Sequence, residues 1–435
     1  MPLKPNIYIP IEIMYRELSS RLYLTGHLVS SGFRVYIGTK KGIYNLIKKK
    51  KTKEGILLYK SSFGKNIKSM APIINNCEHV SVIDEELGIG MGHEASAIER
   101  RLVNLEFVSN FFVIGNEIKK KIISRLKAHK NKIVATGWPI YDLCKKKNLN
   151  FYLNESKDIK KKYKKFLLFS SNFGILNKQD LMKRKKEVRR YKNNKNNKKI
   201  INELFSNKYK DYKLFIKKIN DYSKKNNIKI IIRPHPGEKK FKNWLDDISL
   251  NENVKIVYDN DIAPWILASE GLIHRGCSTS SIATLLNKKV FYLLPDRKLK
   301  KYEKNITFKI SNKIRNFDLR SENINYVKKK DINKILNKNI LNYSTKNSAD
   351  IIIKHLKKLK VTKTFSYDQY NIFLIINDLF KKIKFSINVF SKKNDNLKMP
   401  KIISKKNIFR KLQLIFKDKK FFVKNLGGET FEIDC

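Results

Sequence analysis

GLIHRGCSTSSIATLLNKKVFYLL, residues 271–294, decides how this chain folds. GLIH (271–274) reads as a strand, the following residues as a tight turn, the segment opened by Ser278, Thr279 and Ser280 as a helix, and KVFYLLP (289–295) as the next strand. Strand, helix and strand in that order make a βαβ unit, and such units build parallel sheets. Working outward, FLLFSS (166–171), IKIIIR (228–233) and VKIVYD (254–259) are further strands, with a long basic helical region between the first two.

The first third repeats the pattern. NIYIPI (6–11), FRVYIG (33–38), ILLYKS (56–61), HVSVID (79–84), FFVIGN (111–116) and KIVATGWP (132–139) read as strands. Between the first two, YRELSSRLYLTGHLVSSG (15–32) has apolar residues at helical spacing and ends on Gly32, a natural helix stop. KKKNLNFYLNESKDIKKKYKK (145–165) is polar with little apolar periodicity and reads as a linker. The expected fold is α/β, with two Rossmann-like domains, 1–150 and 160–345, facing a cleft. A chain of 435 residues fits two domains better than one core. Residues 178–200 read as a basic, Asn-rich insertion. Beyond about 345 the strands end, and 346–435 reads as a basic helical extension. In it, YNIFLIINDLFKKIKFSINVF (370–390) suits a helix packed across the domains, or one whose lysines meet anionic lipid.

Lys and Arg number 94 against 39 Asp and Glu, a formal net charge of +55. That excess admits a nucleic acid, an anionic membrane face or a phosphorylated substrate as partner. Lys and Asn are abundant along the whole chain, and no nucleic-acid motif accompanies the charge, so no nucleic-acid partner is expected. Cys77, Cys144, Cys277 and Cys435 are isolated, which fits a reducing compartment and no zinc site. No apolar run reaches the ~20 residues of a membrane span. The expected location is cytoplasmic, free or peripheral on the inner membrane.

Three clusters carry possible chemistry. In IKIIIRPHPGE (228–238), Pro234 and Pro236 stiffen the loop that holds His235 just past a strand, beside Arg233. Ligands of open parallel sheets bind at that edge, and an imidazole beside a guanidinium suits a phosphate. The same residues also make an ordinary turn. In the opening stretch, His274 and Arg275 end a strand and Ser278, Thr279 and Ser280 begin a helix, a place where N–H groups and hydroxyls hold anions. A routine Ser/Thr-rich helix start reads identically. Two such loops at what look like adjacent strand ends suggest a nucleotide-phosphate site.

The third cluster is HVSVIDEELGIG (79–90), a strand running into Asp84, Glu85 and Glu86. One of these acids is a candidate base for an attacking hydroxyl, and crowding raises at least one pKa. An acidic turn or a divalent-metal site are the alternatives, although no DxD motif is present. Glu12, Arg16 and Glu17 follow the first strand, either lining the cleft or pairing at i,i+4 spacing on a helix. His27 reads as packing and His93 as a possible substrate contact.

Taken together, EELG (85–88), HP (235–236) and CSTSS (277–281) resemble a family of bacterial surface carbohydrate biosynthesis proteins. More broadly they are similar to inverting GT-B glycosyltransferases that use CMP-activated acidic sugars: sialyl-, polysialyl- and Kdo-transferases. IPIEIMYRELSSRLYLTGHL at the start, TGWPIYDL (136–143) and FLLFSSNFG (166–174) extend the likeness across roughly residues 6–300.

The resemblance implies a GT-B-like fold and a base at Glu85, or at Glu86 or Asp84, since Leu87 interrupts the family's acidic-acidic-Gly. It also implies donor-phosphate contacts from His235, Ser278, Thr279 and Ser280, and Arg233, Pro236, His274 and Arg275 are expected to bind the donor beside them. The substrates would be a CMP-linked sugar and a glycan or lipid-linked acceptor at the inner-membrane surface. A leaving CMP is a phosphate monoester that His, Arg and hydroxyl donors can stabilise, so no metal or other cofactor is demanded. TGWPIYD carries Trp138 and Ile140 where the family has asparagine and arginine. A UDP-GlcNAc 2-epimerase, a CDP-polyol phosphotransferase and a non-catalytic glycan- or nucleic-acid-binding protein are the rival readings.

Overall fold

The computed structural model describes residues 4–49, 53–62, 67–89, 98–99, 101–174, 176, 195–226, 228–235, 238, 252–258, 261–300, 303–317, 319, 324–362, 404–427 and 429–435. It divides into two compact units, Met1–Phe151 with Asn333–Cys435, and Tyr152–Ile332. Both are α/β, each with a parallel Rossmann-like sheet, which is the expected fold class.

In the first unit β1 (Asn6–Ile11), β2 (Arg34–Thr39), β3 (Ile56–Tyr59), β4 (His79–Ile83), β5 (Asn110–Val113) and β6 (Ile133–Ala135) lie parallel in the order β2-β1-β3-β4-β5-β6. Every residue of β1 and β3 is buried, because a parallel sheet is covered on both faces and its strands read as unbroken apolar runs. Helix α1 (Met14–Val29) connects β1 to β2. The strand order reverses between β1 and β3, so the crevice beyond their carboxyl ends is the natural ligand position of this sheet.

The C-terminal region departs from expectation. Helices Ser348–Leu356 and Lys405–Ile415 are present. The strands do not end at 345, however: β13 (Phe422–Gly427) and β14 (Thr430–Asp434) form a hairpin that continues the first sheet, β14 pairing antiparallel with β2. Thr430 lies opposite Gly38, where a Cβ would meet the Glu429 carbonyl and sit 2.7 Å from the Thr430 Cα. The described residues beyond 346 therefore belong to the first unit rather than forming an appendage. The expected helix at 370–390 lies outside the described residues.

TGWPIYDL finds its place in the same docking. Asp142 is buried and accepts from the Ser348 hydroxyl (2.6 Å), the Ala349 N–H (3.2 Å) and Lys145 Nζ (2.7 Å). It thereby satisfies the start of helix Ser348–Leu356.

The second unit holds β7 (Phe166–Ser170), β8 (Lys229–Arg233), β9 (Val254–Ile256), β10 (Leu272–His274), β11 (Val290–Leu293) and β12 (Asn312–Ile314), in the order β12-β11-β10-β7-β8-β9. Phe169, Phe173, Tyr212, Phe215 and Phe317 pack its core on one face of the sheet. The reversal of strand order falls between β7 and β10. Helix Lys195–Asn226 absorbs the last residues of the expected insertion, whose residues 178–194 lie outside the described set. The expected linker is itself a helix, Asn150–Tyr163, burying Tyr152, Ser156, Ile159 and Tyr163 at helical spacing. The second unit hands the chain back at Asn333, earlier than the 345 expected from sequence.

Candidate functional site

At the carboxyl end of β4 the three acids are in three different situations. Asp84 is fully buried, and its Oδ1 accepts from the backbone N–H groups of Glu86 (3.0 Å) and Leu87 (2.8 Å). Its Oδ2 takes Arg101 Nε at 2.7 Å. These bonds turn the chain, Leu87 is anchored in the core, and Gly88 completes the turn at φ 103°. The leucine that departs from the family pattern is thus a core anchor.

Glu86 is the exposed acid, paired with Arg101 (2.5 Å) and Arg16 (3.1 Å). Burial works against its ionisation, but the two guanidinium groups outweigh that and hold its pKa below the ordinary carboxylate value.

Glu85 remains. Its side chain is 13% exposed, Oε2 meets Arg21 at 3.3 Å, and Oε1 is buried with no hydrogen-bond partner among the described residues. Burial pushes its pKa up; Arg21 and Arg16 oppose the rise, while Glu17 and Asp84 add to it. Arg21 is itself buried on α1, with NH1 unpartnered among the described residues. Nearby, Lys60 at the end of β3 pairs with Glu12 (2.5 Å) and Glu17 (3.3 Å), and Glu17 also accepts the Glu12 N–H at 2.9 Å. The i,i+4 pairing of Glu12 with Arg16 is replaced by these longer-range ties. His27 is a packing residue, its ring 4.6 Å from Tyr23 and 4.9 Å from Phe416.

In the second unit, the loops after β7, β8 and β10 are bonded to one another. The strands of the His235 loop and the Ser/Thr cluster, expected from sequence to be adjacent, are not neighbours; β7 lies between them. Its loop, residues 170–173, is the bridge. Toward β10, Thr279 Oγ1 donates to Ser170 Oγ (3.0 Å) and Asn172 Nδ2 donates to the Gly276 carbonyl (2.9 Å). Toward β8, the His235 N–H donates to Ser171 Oγ (3.3 Å). The Ser171 hydroxyl donates to Glu238 Oε2 and the Phe173 N–H to Glu238 Oε1, both at 2.6 Å. Glu238 is fully buried, and its own N–H donates to the His235 carbonyl at 2.7 Å. A charged acceptor spanning two loops is the strong kind of hydrogen bond, and it fixes the half-buried His235 relative to β7.

The remaining candidates divide into ligand-facing and internal residues. Ser278 is exposed and Thr279 half-buried, whereas Ser280 is buried with its hydroxyl donating to the Cys277 carbonyl (2.9 Å). Ser278 makes no side-chain cap, contrary to the expected Ser/Thr capping. The turn is held instead by His274, whose Nδ1 accepts from the N–H groups of Gly276 and Cys277, each at 3.2 Å. Those two bonds leave the proton on Nε2, which lies 2.9 Å from Ser311 Oγ. Complete burial, with Arg275 and Lys208 adding repulsion, lowers the His274 pKa to about 3.

Arg275, expected at the ligand, is buried in an ion network with Asp211 (2.9 Å) and Glu303 (2.6 Å), to which Arg297 also binds. His274, Arg275 and Ser280 therefore support the site from within. Arg233 is 7% exposed with its guanidinium 5.2 Å from the Trp265 ring centroid. Pro236 and His93 lie outside the described residues. Sequence reasoning passed over Arg21, Arg101, Lys60, Ser171 and Glu238, although Glu238 stands in the quoted stretch.

No family model and no curated protein matches the chain. Among solved structures it is similar to a UDP-GlcNAc 2-epimerase of Methanocaldococcus jannaschii in complex with UDP-GlcNAc and UDP, at 13% identity and TM-score 0.48 over 82% of this chain and 100% of that one. It is also similar to the wall teichoic acid polymerase TagF, at 13% identity and TM-score 0.46 over 82% of this chain and 88% of that one. A UDP-N-acetylglucosamine 2-epimerase from Rickettsia bellii overlaps at 9% identity and TM-score 0.46, over 82% of this chain and 96% of that one. Likeness at this level assigns neither a substrate nor a residue.

Proposed function

We propose that the chain is an inverting GT-B glycosyltransferase of surface-polysaccharide synthesis, transferring an acidic sugar from a CMP-linked donor to a glycan acceptor. The observation that carries this reading is the buried Oε1 of Glu85, without a hydrogen-bond partner among the described residues. Its two neighbours are occupied by backbone N–H groups and arginines, whereas Glu85 keeps one oxygen for a proton. A protein that only bound polyanions would gain nothing from a desolvated carboxylate.

In the reaction, Glu85 takes the proton of the acceptor hydroxyl as its oxygen attacks the anomeric carbon. The bond from that carbon to the CMP phosphate breaks, and its electron pair goes to the phosphate oxygen. His235, Ser278 and Thr279 meet the phosphate, with Arg233 adding positive charge behind them. Glu238 and His274 hold these groups in position. On this reading the carboxylate of the first unit serves the acceptor hydroxyl and the loops of the second hold the donor phosphate. The +55 formal charge favours an acidic or lipid-linked glycan and an anionic membrane surface.

Thermal shift with CMP, CDP, UDP and GDP tests the donor. CMP at 100 times its Kd should stabilise the protein by about 2.7 kcal/mol, a rise of a few degrees in melting temperature. Preference for UDP would transfer the site to an epimerase or a hexose transferase, and preference for CDP to a polyol phosphotransferase.

A further inference from the structure

The second sheet carries a hollow at the edge opposite its candidate site. β7 and β8 begin at Phe166 and Lys229, and the loops described above leave their other ends, roughly 15 Å away for strands of this length. At the starting edge lies a cavity of about 700 Å³ walled by apolar side chains, among them Phe166, Ile228 and Leu319. That volume suits one small molecule. Lys164, Lys165 and Lys229 line it as well, against one acid among the described lining residues, Glu270. None of the three lysines forms an ion pair among the described residues, and Lys164 is held at φ 57°, a conformation that costs a lysine about 1–2 kcal/mol. An apolar wall beside three ammonium groups and one described carboxylate is complementary to one kind of ligand.

We propose that this cavity binds a single-chain anionic amphiphile, its alkyl chain against Phe166, Ile228 and Leu319 and its acidic head among the three lysines. The site is separate from the transferase reading and stands or falls without it.

Isothermal titration of the full chain with decyl phosphate below its micellar concentration is the test, with decyl maltoside and inorganic phosphate as controls for chain and head. Decyl phosphate is expected to bind saturably at one per chain, and each control at least about tenfold more weakly. Ile228→Trp, which fills the hollow, should abolish binding. The surface double substitution Lys165→Glu/Lys229→Glu removes two of the three head contacts without touching the core, so it stays informative if the first variant fails to fold. It should weaken decyl phosphate by about tenfold or more. Absence of binding, equal binding of either control, or binding unchanged in the folded variants would overturn the site.

Discussion

Among the acids of DEELG, residue chemistry separates roles that spelling cannot. Asp84 is a structural acid, so Asp84→Ala should cost about 3–5 kcal/mol by stranding Arg101 and two backbone N–H groups, measured as a fall in denaturation midpoint. Glu85 has the opposite profile. Its raised pKa means that lowering the pH protonates it early, so transfer should fall on the acid side as pH drops through that value. Arg21 holds the value down, and Arg21→Gln should move the acid limb of the pH–rate profile to higher pH; a limb that stays put would separate Arg21 from Glu85. The crowding of carboxylates was legible in the sequence, as was the expectation that one pKa would rise. Which acid it would be was not, because Arg101 and Arg21 come from distant positions and only folding brings them to Asp84 and Glu85.

At the scale of elements, the second site is three loops joined through Ser170, Ser171 and Glu238. Glu238→Gln should weaken CMP binding without contacting it, since the amide cannot accept from both Ser171 and Phe173. CMP affinity unchanged in that variant would remove Glu238 from the positioning of His235.

Acid should act on this unit in a calculable direction. His274 is held neutral with its pKa lowered to about 3, so its contribution is full above the ordinary 6.5 and declines as pH falls below it. Glu303 is lowered to about 2; burial opposes this, but Arg297 and Arg275 prevail, and its contribution declines from about 4.5 downward. Calorimetric melting should therefore show the stability of this unit falling steadily from pH 6.5 to 3, and a flat profile would contradict the buried network. The strands and the turn were readable as an alternation of apolar runs. The inward fate of His274 and Arg275 was not, since a strand-end histidine and arginine look the same whether they face a ligand or a core.

Over the whole molecule, the chain's last strands finish its first sheet. Gly38→Ala would push a methyl group against Glu429 and Thr430 and should lower the stability of the first unit by about 1–3 kcal/mol, read from its melting transition. No change would mean that β14 can shift outward at no cost. FFVKNLGGETFEID (421–434) carries a Gly-Gly turn between two short alternating runs, but its lysine-rich surroundings masked the hairpin, and pairing with β2 spans almost the entire sequence. The helix Asn150–Tyr163 was hidden in the same way, its five buried residues diluted by lysine and asparagine.

The proposed transfer rests on Glu85 as the proton-accepting carboxylate, and Glu85→Gln tests it most directly. The variant keeps an acceptor for Arg21 and should retain the CMP-induced thermal shift, while transfer from a CMP-linked sugar falls by about 10²–10⁴. Near-normal transfer in a folded Glu85→Gln protein would contradict the account.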